Sequence, residues 1–88
     1  MNATNVKRLE NVRKMLDDIE EELLPCYVEE DQRLRRLCES EMFSDDQVEL
    51  DYIVSSLEYT IRRIRRCRKS LDFVLNYENQ QGEKDHVK

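Results

Sequence analysis

The chain has one glycine, one proline and no tryptophan in 88 residues. With so little of the chemistry that tight turns require, short strands joined by close reversals are excluded as the basis of the fold. Histidine is nearly missing as well. The only one, His86, sits in a segment without periodicity, so neither the usual general base nor a His-containing metal cluster is expected. There is no glycine-rich phosphate loop, and no apolar run approaches the ~20 residues that cross a bilayer. The three cysteines, Cys26, Cys38 and Cys67, are odd in number and match no metal-ligand spacing. With no secretory leader, this predicts a reducing compartment, cytoplasm or nucleus, in which the cysteines act as small apolar side chains. The formal sequon Asn2-Ala3-Thr4 is then a chance match. No catalytic residue, cofactor or metal is expected, and the chain is read as a non-enzyme.

What the chain does have is charge, 40% of its residues, with a net −5 at neutral pH. Disorder shares that trait but lacks regularly spaced apolar residues, and here Leu, Ile and Val recur at helical intervals. Val6, Leu9, Val12, Leu16, Ile19 and Leu23 mark a first helix over about 4–24. Pro25 then removes a hydrogen bond and clashes with the preceding turn, which predicts a kink and a second stretch over 26–42 carrying Tyr27, Val28, Leu34, Leu37 and Cys38. Ser44 with Gln47 three residues on, and Asp45 and Asp46 between them, is a helix-start signal. The third stretch runs over 45–77, and 80–88 reads as a flexible tail.

The long C-terminal helix keeps heptad phase. Leu50, Leu57, Ile64 and Leu71 form one column, and Ile53, Thr60, Cys67 and Val74 are assigned to the second, with Val54, Ile61 and Leu75 widening the stripe. The expected fold is all-α: a single domain over 1–79, folded as an antiparallel coiled-coil-like hairpin with its first arm kinked at Pro25. The alternative is a three-helix bundle, which requires a full reversal at Leu23 to Tyr27. That segment has neither glycine nor a good capping residue.

Arg62, Arg63, Arg65, Arg66, Arg68 and Lys69 make six bases in eight residues, which resembles a nuclear-import or nucleic-acid patch. A hairpin folded about residue 44 offers another explanation. It pairs positions whose numbers sum to about 88, and so sets the basic run against the acids between Asp17 and Asp31. Block charges of this kind select register and orientation.

Tyr52, Tyr59 and Phe73 share a column with Arg66, and Tyr77 follows one turn after Phe73. That column is about 130° from the assigned seam at 100° per residue, so one seam cannot bury both. These five residues, with Tyr27 and Phe43 as further candidates, are the expected contacts to a protein partner in a hetero-oligomeric complex or a homodimer. The function expected is that of a small helical adaptor or structural subunit. The alternatives are nucleic-acid or anionic-surface binding through 62–69, or a simple homodimeric coiled coil.

Overall fold

The computed structural model describes the backbone of residues 1–40 and 44–87 and the side chains of 1–39 and 44–80. The expected helix end near Met42, and Phe43, fall outside the described residues. Two helices, α1 (Ala3–Ser40) and α2 (Asp45–Val87), pack antiparallel into a rod of 69 × 15 × 15 Å. Among the described residues there is no strand. The fold is the expected helical hairpin.

Each helix starts on a side-chain cap, which satisfies backbone donors that have no partner within the helix. Asn2 caps α1, its Oδ1 accepting from the Asn5 N–H at 2.8 Å. Ser44 and Gln47 form the reciprocal pair anticipated from sequence: the Gln47 N–H donates to Ser44 Oγ, and the Ser44 N–H donates to Gln47 Oε1, both at 3.3 Å. Gln47 does more than cap. Its Nε2 donates to the Leu37 carbonyl at 2.9 Å, so one buried amide closes the start of α2 and an open carbonyl in the last turn of α1. Gln47→Ala leaves that carbonyl and the Ser44 N–H without these partners, and should lower the unfolding free energy by about 1–3 kcal/mol. Urea titration followed by helical ellipticity measures it.

Burial alternates in threes and fours along both helices. In α1 the inward positions are Val6, Leu9, Arg13, Leu16, Glu20 and Leu23, continuing through Tyr27 and Glu30 to Leu34 and Leu37. In α2 they begin at Gln47, Leu50 and Val54 and continue through Leu57, Ile61, Ile64 and Arg68 to Leu71, Leu75 and Glu78. These are the two core columns of a heptad repeat, and they correct the sequence reading. The column Leu50, Leu57, Ile64, Leu71 stands, but its companion is Val54, Ile61, Arg68, Leu75. Ile53, Thr60 and Cys67 lie exposed outside it, with Val74 half-buried. In α1, Val12 and Ile19 are likewise exposed beside seam positions held by Arg13 and Glu20.

The physical reason is pairing of charge. An arginine or glutamate is admitted to a core column when a partner across the seam satisfies it, and Arg68 meets Glu20 at 3.2 Å. Ranking residues by hydrophobicity alone therefore selects the wrong neighbour. Three of the interhelical ion pairs, Arg13 with Asp72, Asp17 with Arg68 and Glu20 with Arg65, sum to 85, and Glu20 with Arg68 sums to 88, close to the expected register.

Helix α1 continues through Pro25, so the stretch expected over 26–42 is its continuation, and the chain does not form a three-helix bundle. Pro25 is exposed, on the side away from the seam. There the carbonyl that it frees is open to water, which softens the cost of an interior proline. Helix α2 extends to Val87, past the end expected near Tyr77; the side chains of 81–88 lie outside the described residues.

Candidate protein-interaction site

The seam shelters little. Leu50, Val54 and Ile61 are the buried apolar residues, all within the turn-proximal half of α2, and no large side chain is fully buried among the described residues. Twelve large apolar side chains are exposed among the described residues, more than scattered surface hydrophobics would require.

The largest of them stand together. Tyr52, Tyr59 and Phe73 are 75%, 60% and 73% exposed and occupy one column of α2, with exposed Arg66 between Tyr59 and Phe73. With the seam phase corrected, this column is about 170° from the core, nearly diametrically opposite. Tyr77, also exposed, lies one turn beyond Phe73 in the adjacent column, which also holds Arg63. Arg63 lies over the Tyr59 ring, 5.4 Å from its centroid, and donates to the Tyr59 hydroxyl at 2.9 Å. This cation–π contact holds the ring on the helix surface and partly shields the guanidinium. Tyr27, by contrast, faces the seam and is half-buried, apart from this column.

The six bases divide by direction. Arg65 pairs with Glu20 at 3.2 Å, and Arg68 with Asp17 at 3.0 Å and Glu20 at 3.2 Å, so these two cross the seam to the acidic block. Arg62 pairs with Glu58 along its own helix at 2.6 Å, and Arg63 is engaged by Tyr59. Arg66 and Lys69 are exposed. The basic run is thus in part the internal counterpart of the acids on α1.

A second cross-link closes the open half of the hairpin. Arg13 Nε donates to Asp72 Oδ1 at 2.6 Å and its Nη2 to Oδ2 at 3.3 Å, a two-pronged fork, while Nη1 also meets Asp17. The hydrogen bond from Arg13 holds the Asp72 carboxyl below its ordinary value, with desolvation working against it, and the same bond raises Arg13. A carboxylate lowered on folding stabilises the folded state above the unfolded value of ~3.9 and loses that contribution as pH falls through the lowered folded value. Asp72→Asn should therefore lower the urea midpoint at pH 6 to 7, and the gap to the parent chain should close on acidification below about pH 4.

The two flanks of the seam differ. Along one run Asp17, Leu24 and Asp31 of α1 with Glu58, Arg65 and Asp72 of α2, and the crossing ion pairs lie here. Along the other run Val12, Ile19 and Cys26 of α1 with Thr60, Cys67 and Val74 of α2, mostly exposed. Its α2 members, Thr60, Cys67 and Val74, fall in the column that hydrophobicity alone assigns to the core. All three cysteines are free and exposed. Among the described residues no cluster of His, Cys, Asp and Glu is placed to hold a metal, and no helix is long and apolar enough to cross a membrane. No protein family, curated protein or solved structure matches the chain.

Proposed function

We propose that the chain is a small, non-catalytic helical adaptor or structural subunit that presents the back of α2 to another protein. The observation that carries this is the column Tyr52, Tyr59, Phe73, three aromatic rings at least 60% exposed on the face that the hairpin cannot cover. Aromatic side chains bury about 150–250 Å² each, so three such rings represent on the order of 10 kcal/mol of gross burial, comparable with the cost of association. Tyrosine, phenylalanine and arginine are also the residues in which binding energy concentrates at interfaces, and Arg63 and Arg66 flank the rings. A non-catalytic role is supported by the composition, in which the one histidine is His86 and the carboxylates fall in charged runs.

Tyr59→Ser with Phe73→Ser should keep helicity within about 10% of the parent, because neither residue supports the seam, and should abolish co-purification of the partner. Loss of helicity would instead assign the rings to an internal core. A nucleic-acid role through the outward bases has its own signature: affinity for DNA or RNA that falls steeply as salt rises. The adaptor role requires that no such binding be seen at physiological salt.

A further inference from the structure

The apolar flank is a separate surface from the aromatic column, and its rim carries charge in a pattern. One row further out from Val12, Ile19 and Cys26, helix α1 presents Arg8, Met15, Glu22, Glu29 and Arg36. The corresponding row of α2 is Glu49, Ser56, Arg63, Ser70 and Tyr77. Given the observed register, Arg8 stands at the height of Tyr77, Glu22 at that of Arg63, and Arg36 at that of Glu49, on opposite sides of the groove.

We propose that a second copy of this chain covers the flank, related by a two-fold axis parallel to the rod, so that both turns lie at the same end and four helices alternate up and down. Such an axis preserves height, so each layer of the flank meets its own equivalent: Val12 and Val74 meet their counterparts, as do Ile19 and Cys67. It also sets the α1 rim of one copy against the α2 rim of the other. Glu22 then faces Arg63 of the second copy, Arg36 faces its Glu49, and Arg8 faces the ring of its Tyr77. The head-to-tail alternative that keeps the whole flank covered, with the axis across the rod at the height of Glu22 and Arg63, opposes Arg63 to Arg63, Glu22 to Glu22 and Arg8 to Arg36; sliding it by one heptad uncovers Val12 and Val74. Like charges set together cost about what opposite ones gain, so the rim selects the same-end arrangement. A closed two-fold dimer is also the commonest solution for a self-complementary surface, and an up-and-down four-helix bundle shelters the flank that two helices leave open. The aromatic column lies beside the α2 rim and outside the flank, so the dimer displays two of them.

Sedimentation equilibrium of the full chain over about 1–100 µM should yield twice the chain mass of 10.7 kDa. Glu22→Arg should weaken the dimer about tenfold, since it makes two symmetry-related pairs repulsive. Adding Arg63→Glu should restore the parent affinity to within about threefold, with helicity constant throughout. Orientation is read separately by a spin label on Cys38 in a Cys26→Ala, Cys67→Ala background. Same-end packing predicts a label separation of about 25–35 Å from helix spacings of 8–10 Å plus the label arms. Head-to-tail packing predicts about 50 Å, since Cys38 lies 16 residues from the centre of the rim at 1.5 Å each. A monomer across the whole range, a Glu22→Arg dimer of unchanged affinity, or the long separation overturns the proposal. Phe73→Ser, in the aromatic column and outside the rim, should leave the dimer intact.

Discussion

Ile61→Ala is expected to lower the unfolding free energy by about 2–5 kcal/mol and leave a large share of the chain unfolded in dilute buffer at 25 °C. Ile61 is 4% exposed, the most buried apolar residue described, and it shares the core with only Leu50 and Val54. A chain of this length buries a small fraction of its surface and starts from a thin margin. Removing three carbons where the neighbours cannot collapse inward costs the lost transfer energy and the cavity together. The adjacent pair Ile53 and Val54 sharpens the test. In dilute monomer, Val54→Ala should cost at least about 1 kcal/mol and Ile53→Ala under about 0.5. The reverse order would restore the column Ile53, Thr60, Cys67, Val74 as the core. Urea melts followed at 222 nm distinguish the two.

The second large effect has the opposite sign. Replacing Glu20 and Arg68 together by leucine is expected to raise stability by roughly 1–3 kcal/mol while making the register less unique. Both side chains lie largely sheltered in the seam, at 17% and 24% exposure. Placing charges in such a site costs desolvation that their attraction repays only in part, so a well-packed apolar pair often does better. What the charges contribute is discrimination. Slid by one heptad, Arg68 would leave Glu20 and Asp17, and unpaired charge would sit in the core. With leucine at both sites the columns become nearly repetitive, and neighbouring alignments differ little in energy. A rise in the urea midpoint, together with a broadened distance distribution between labels placed on the two helices, is the expected outcome. Arg68→Leu alone should destabilise the chain, since it removes the partner that Asp17 and Glu20 share.

The architecture was legible from residues whose chemistry admits one interpretation. The shortage of glycine and proline left long helices, Ser44 and Gln47 marked the start of α2, and Leu50, Leu57, Ile64 and Leu71 set one core column. The second column was not legible, because the residue that completes it is Arg68. Thr60 and Cys67 are the more apolar choice in isolation, and only the acids 48 and 51 positions away, Glu20 and Asp17, make Arg68 the better seam residue. The same reasoning applies to Val12 and Ile19, which resemble core until Arg13 finds Asp72. Pro25 was legible as an interruption but not in its outcome, since α1 runs through it from Ala3 to Ser40. Its cost depends on which side of the helix it occupies, and that side is defined only once the seam phase is known. The aromatic column is legible in either phase, because a shift of one residue in the seam only moves Tyr52, Tyr59 and Phe73 further from the core. The apolar flank was invisible for the converse reason.

The antiparallel path brings the Met1 amine to within 3.3 Å of Glu78, nine residues before the end of α2, and sets Ser40 and Asp45 toward the opposite end of the 69 Å rod. Tension applied through both strands at the paired end would part the helices one seam layer at a time, each step breaking only a few contacts. Tension applied between that end and the turn would load all layers at once, in shear. The same molecule is therefore mechanically weak in one direction and strong in the other, and the layer closed by Arg68, Asp17 and Glu20 is where unzipping from the paired end would meet its first ionic barrier after Arg13 and Asp72.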